Sequence, residues 1–163
     1  MSKYSMHLMV CGGTSCHASE SDAIVWNLRD ELEAKGLSEK VQVILTGCFG
    51  FCEKGPIVKV MPDNIFYVQV KPEDAQTIVE EHIIKGKIVD RLLYHDPKTN
   101  TTIGDSKHAG IFKKQLRIVL RNCGFINPES IDEYIGRHGY QALGKALTEM
   151  TSQDVIKVIK DSG

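Results

Sequence analysis

The chain has 163 residues, 42% of them hydrophobic and 25% charged, with a formal net charge of −1. This is the composition of an ordinary globular protein, large enough for one core or a small domain with an appendage, and it excludes fibrous and disordered classes. A near-neutral balance offers no broad attraction for nucleic acid or an anionic membrane.

No stretch approaches the roughly 18 apolar residues of a membrane helix, and Met1 to Val10 is too short and too polar for a signal peptide. The expectation is a cytoplasmic protein with no direct membrane insertion. Five cysteines are present, an odd number, and four of them fall in two tight pairs instead of a disulfide framework. In a reducing compartment such pairs point to metal or redox chemistry.

In chain order, Ser5 to Val10 is a short apolar strand that runs into Cys11-Gly12-Gly13. Ser19 or Ser21 caps a helix from about Asp22 to Lys35, in which Ile24, Val25, Leu28 and Leu32 repeat at helical spacing, and Gly36 ends it. Val41 to Leu45 is a second strand that stops just before Cys48-Phe49-Gly50-Phe51-Cys52. Ile57 to Met61 and Ile65 to Val70 form an antiparallel hairpin across Pro62-Asp63-Asn64. Pro72 then opens a helix from about Glu73 to Lys85, closed by Gly86. A right-handed crossover makes the first two strands parallel, and the hairpin adds an antiparallel pair. The predicted class is α/β: a thioredoxin-like domain with a small mixed sheet over residues 1–94.

From His95 the chain turns polar and rich in turn formers, which predicts a linker over 95–110. The remainder, 111–163, is predicted to be short and all-helical. Its helices are Phe112 to Asn122, Pro128 to Arg137 capped by Asn127, Tyr140 to Glu149, and a last helix opened by a Thr151/Asp154 capping box. The basic residues Lys113, Lys114, Arg117 and Arg121 would line one side of the first of these helices, opposite Phe112, Leu116, Val119 and Leu120. A solvated face is the default reading, with a partner subunit as the alternative. Without a recognised module, direct nucleic-acid binding is not expected.

The paired cysteines are spaced Cys-x4-Cys, then 31 residues, then Cys-x3-Cys. Each pair follows a strand, so Cys11, Cys16, Cys48 and Cys52 can converge at one end of a sheet and serve as an iron-sulfur ligand set. Gly12, Gly13, Gly47, Gly50 and Gly55 would let backbone pass close to the sulfides and aim N–H groups at them, raising the reduction potential. A structural zinc site also takes four thiolates but favours Cys-x2-Cys knuckles. Disulfide exchange needs Cys-x2-Cys at a helix N-terminus, which is missing. A Rieske centre needs two histidines, and His17 is the only neighbour of that type, better read as an exposed loop residue. Phe49 and Phe51 either shield the site or fill the core, with the core favoured. Cys123, alone in sequence, reads as a small buried hydrophobe. Trp26 reads as part of the first helix's packing surface.

The run Thr46-Gly-Cys-Phe-Gly-Phe-Cys-Glu-Lys-Gly-Pro56, with Cys11 and Cys16 upstream, resembles the thioredoxin-like [2Fe-2S] ferredoxin domain preceding the flavoprotein subunit of NADH dehydrogenases. It is most similar to the version in NAD(P)-linked iron-only hydrogenases. The resemblance implies a [2Fe-2S] cluster on Cys11, Cys16, Cys48 and Cys52, with a cysteine at every expected ligand position. Residues 112–124, 128–134 and 139–143 resemble the helical start of the NADH-binding flavoprotein subunit. That likeness implies that the FMN and NAD(H) sites and a [4Fe-4S] cluster belong to a remainder not in this chain. The implied partners are other subunits of an NAD(P)H-linked oxidoreductase, with self-association of the isolated domain as a further option.

Overall fold

A computed structural model describes residues 4–104 and 115–163. These residues divide into two compact units, 1–127 and 128–163.

The first unit is built on a four-stranded sheet in the order β2-β1-β3-β4. Strand β1 (Met6–Cys11) pairs in parallel with β2 (Val41–Thr46) and antiparallel with β3 (Val58–Met61), which in turn pairs antiparallel with β4 (Ile65–Tyr67). Two helices precede β2: a short α1 (Thr14–Ala18), not anticipated from the sequence, and α2 (Ser21–Ala34). Neither Ser19 nor Ser21 caps α2. The helix starts after Glu20, which takes the left-handed conformation, and has no side-chain cap. It closes as expected at Gly36 (φ +67°), where the Leu37 N–H reaches back to the Leu32 carbonyl at 2.8 Å.

Alternation along the strands divides the core into two layers. On one face Leu8, Val10, Val58, Val60 and Tyr67 pack under Ile24, Leu28 and Leu32 of α2. Each of those three helix residues is at most 1% exposed, a burial that stabilises by about 1.5–3 kcal/mol per side chain. Trp26 sits on the opposite side of that helix and is 69% exposed, so it is not a packing residue: two positions from Ile24 is more than half a helical turn. The other sheet face carries Met9, Cys11, Ile44, Phe49, Phe51, Ile57 and Phe66.

After β4 the predicted helix is present in two parts, α3 (Asp74–Thr77) followed by wider π-helical turns over Ile78–Ile84. The expected linker is different where it is described. Tyr94–Asp96 (β5) and Thr101–Ile103 (β6) form a hairpin. The turn formers between them make its loop: the Asp96 carboxylate accepts the Lys98 N–H at 2.9 Å, and Asn100 is left-handed (φ 53°). The hairpin is tied to β4, where the Phe66 N–H donates to the Gly104 carbonyl at 2.8 Å.

The helix expected over 112–122 is also different. Its first residues, including Phe112, Lys113 and Lys114, lie outside the described residues. From 115 to 127 the chain is a run of turns, with Leu116 88% and Val119 91% exposed. Arg117 leaves the anticipated basic stripe, donating to the carbonyls of Phe49 (3.3 Å) and Cys123 (3.4 Å).

The second unit holds α4 (Ile131–Gly136), α5 (Gln141–Glu149) and α6 (Ser152–Asp161). Ser130, rather than Asn127, is the N-cap of α4, accepting the Glu133 N–H at 3.4 Å. The Thr151/Asp154 capping box is formed as expected.

Candidate metal centre

Strands β1 and β2 end side by side, with Cys11 opposite Thr46 in the register. The two cysteine loops therefore leave the sheet at the same end, the C-terminal end of its parallel strands. The first passes through Gly12, whose N–H donates to the Thr46 carbonyl at 2.8 Å. A Cβ at Gly12 would stand 2.8 Å from that same oxygen, so the close approach of the loops requires glycine. The loop then winds into α1, which carries Cys16. The second loop carries Cys48 and reaches Cys52 at the start of a 3-10 turn, Cys52–Lys54.

The structure brings all four predicted thiols to this end of the sheet. Cys11 and Cys16 are buried, Cys48 is half-buried and Cys52 is exposed. The Cys48 and Cys52 sulfurs are 3.9 Å apart, close to the ~3.8 Å edge of a tetrahedral ion with sulfur ligands at ~2.3 Å. The Gly50 N–H donates to Cys48 Sγ at 3.2 Å, from a backbone with φ +80°. Glycine also lines the space between the loops. A Cβ on Gly13 would lie 3.1 Å from Cys48 Sγ and 3.6 Å from Cys11 Sγ, and one on Gly55 would lie 2.5 Å from Cys16 Sγ.

The thiols act on one another electrostatically. Burial pushes the Cys16 thiol up to about 12, assisted by the adjacent Cys11 thiol and by the fields of Cys52 and Cys48. Cys52 is raised chiefly by its contact with Cys48. Four sulfurs in one place resist becoming anions together unless a positive centre is shared among them. Among the described residues, no three His, Cys, Asp or Glu side chains are already arranged around one metal position. The four thiols come as two pairs, one from each loop. His17 turns away to Asp22 at 2.8 Å and is exposed as anticipated, though it sits in the last turn of α1 and not in a loop.

Phe49 and Phe51 take the core reading. Both are buried, and they meet Phe66 and Tyr94 edge to face, with ring centroids 5.5 and 5.1 Å apart. Cys123 is not remote: a Cβ on Gly47 would lie 2.6 Å from its sulfur. Burial raises its thiol, the Arg117 guanidinium pulls it down, and Cys48 and Cys11 add to the rise. Its isolation in sequence gave no sign of this placement.

The family model for the thioredoxin-like [2Fe-2S] ferredoxin matches residues 2–82. A curated "Ferredoxin, 2Fe-2S" of Clostridium pasteurianum is 44% identical over 77 residues, covering 47% of this chain and 76% of that protein. The "NADP-reducing hydrogenase subunit HndC" of Solidesulfovibrio fructosivorans is 61% identical over 51 residues, 31% of this chain and 10% of that subunit. Among solved structures, the wild-type thioredoxin-like [2Fe-2S] ferredoxin of Aquifex aeolicus aligns with a TM-score of 0.50 at 32% identity, covering 56% of this chain and 96% of that one.

Proposed function

The chain belongs to the thioredoxin-like [2Fe-2S] ferredoxin family, and on that footing we propose that Cys11, Cys16, Cys48 and Cys52 ligate its cluster and that the parent protein is an NAD(P)H-linked oxidoreductase. Electron transfer through a [2Fe-2S] cluster is the activity of the domain. The observation that carries the ligand assignment is the cradle of two thiol pairs walled by bare glycine faces at Gly13 and Gly55. A bound cluster supplies one-electron redox chemistry. The chain's own residues set the terms: Cys11 and Cys16 anchor one side in the core, while Cys52 opens the other side to a donor or acceptor. The Gly50 N–H on Cys48 Sγ stabilises the more negative reduced form.

The wider setting is supported by the identity with the HndC hydrogenase subunit, of which the chain spans a tenth. In this reading residues 111–163 begin a flavoprotein subunit whose further length carries FMN, NAD(H) and [4Fe-4S] sites. FMN bound there would supply the chemistry that converts a hydride to single electrons, which this domain would pass on in the cytoplasm among other subunits. A second reading, an independent ferredoxin carrier, is favoured by the 76% coverage of the Clostridium ferredoxin.

The test is the visible spectrum of anaerobically purified protein before and after dithionite, with iron and acid-labile sulfide counted. A red-brown, bleachable chromophore with about two irons and two sulfides per chain is expected. Serine at any one of Cys11, Cys16, Cys48 or Cys52 should abolish or shift that spectrum, and Cys123→Ser should preserve it. A colourless protein holding zinc, or a cluster lost with Cys123, would overturn the ligand assignment.

A further inference from the structure

Lys59 lies in the middle of β3 and is only 2% exposed. Its partners in the register are Met9 and Phe66, so it projects from the same sheet face as Met9, Cys11 and Phe66 and not from the face under α2. A lysine at a core position costs free energy unless its charge is compensated or used.

What surrounds the ammonium leads directly to the cysteine loop. Lys59 Nζ donates to the Gly124 carbonyl at 3.3 Å and stands 4.2 Å from the centre of the Phe125 ring. The Gly124 N–H donates to Thr46 Oγ1 at 3.0 Å. Gly124 is left-handed (φ +76°), and its bare Cα lies against the Phe49 ring, where no Cβ would fit. The preceding residue, Cys123, packs its sulfur on Gly47. Arg117 belongs to the same strap, 5.8 Å from the centre of the Phe125 ring and bonded to the Phe49 carbonyl. Thr46, Gly47 and Phe49 are the residues on either side of Cys48. The strap thus walls a buried cation against the segment that presents this ligand.

We propose that Lys59 is a potential-setting residue: a fixed positive charge, enclosed by residues 117–125, that favours the reduced cluster. The proposal rests on the ligand reading above. When an external one-electron donor reduces one ferric ion of the cluster to ferrous, the cluster gains one negative charge and no bond is made or broken. A buried ammonium at Lys59 would offset part of that added charge, since buried charges are screened less than exposed ones. A bias of about tenfold in that equilibrium is equivalent to about 59 mV for one electron.

The experiment compares full-length holoprotein as wild type, Lys59→Met and Lys59→Arg, with Lys85→Met as an exposed control of equal charge change. Iron, sulfide and the visible spectrum are recorded first, then the midpoint potential by mediated titration. Lys59→Met should lower the reduced-to-oxidised ratio at fixed potential about tenfold with an unchanged spectrum. Lys59→Arg should recover most of the loss, and Lys85→Met should have no effect. Should Lys59→Met fail to fold, Phe125→Ala, at a partly exposed position, should shift the potential the same way by admitting water to the ammonium. An intact cluster with unchanged potential in the folded variant would overturn the role of Lys59 and leave the ligand reading standing. Absence of a cluster from wild type would instead overturn the ligand reading.

Discussion

Gly55 separates the demands of fold from those of the cluster. Its bare Cα faces Cys16 Sγ, and the nearest obstacle to a Cβ is that sulfur at 2.5 Å. Cys16 itself is 2% exposed in α1, so it cannot swing aside cheaply. Gly55→Ala should therefore displace a ligand sulfur and cut the cluster content of freshly assembled protein severalfold, read as iron and sulfide per chain. Gly144, in α5, has nothing within 4 Å of where a Cβ would stand. It supplies the control, since alanine there gains about 1 kcal/mol of helix propensity and leaves the cluster untouched. Equal cluster content in the two variants would show that Gly55 does not line the site. Residue type and spacing made the gathering of Cys11, Cys16, Cys48 and Cys52 readable in advance, because each pair stands at the end of a strand of one parallel pair. Lys59, Arg117 and Cys123 were not readable, since their roles arise from contacts with residues 65, 68 and 76 positions away: Gly124, Phe49 and Gly47.

Between elements, α3 and its π-helical continuation are fastened to the β3–β4 hairpin by one buried polar chain. The Val89 N–H donates to Tyr67 Oη at 3.0 Å, Tyr67 Oη and His82 Nδ1 are 2.8 Å apart, and His82 Nε2 lies 3.2 Å from the Asp63 carboxylate. With the phenol donating to Nδ1, an imidazole protonated at Nε2 donates to Asp63 and satisfies every group. Tyr67→Phe keeps the ring, which is fully buried, and leaves the Val89 N–H and His82 Nδ1 without their oxygen. We expect a loss of about 1–3 kcal/mol in urea unfolding, with the resting visible spectrum unchanged. A loss below about 0.5 kcal/mol would mean that water replaces the phenol at no cost. Helix α2 was legible because Ile24, Val25, Leu28 and Leu32 repeat at helical spacing and all four are buried. The same pattern over 112–122 misled: Leu116 and Val119 find no buried face, and the segment follows instead the bonds that Arg117 and Gly124 make to the cysteine loop.

For the whole molecule, the order strand, helix, strand, hairpin, helix sufficed to derive the mixed sheet, because parallel neighbours need a crossover and a tight turn makes antiparallel ones. What sequence could not supply was a core for residues 128–163. No side chain of α4, α5 or α6 is buried, and Ile131, Leu147, Val158 and Ile159 are all more than half exposed. Helices of 6, 9 and 10 residues without a packed face are marginal in water even when well capped. The sheet has the opposite character, with Leu8, Val10, Val58 and Val60 all fully buried. Native-state hydrogen exchange should therefore divide the chain: amides of β1 and β3 should exchange on the order of 1,000-fold more slowly than those of α5 and α6. Serine at Thr151 should leave the contrast intact, because the Thr151/Asp154 cap stabilises only the first turn of α6. Protection across 131–161 equal to that of the strands would show that the helices bury their apolar residues in solution, and a rise in protection with protein concentration would identify a second copy of the chain as what covers them.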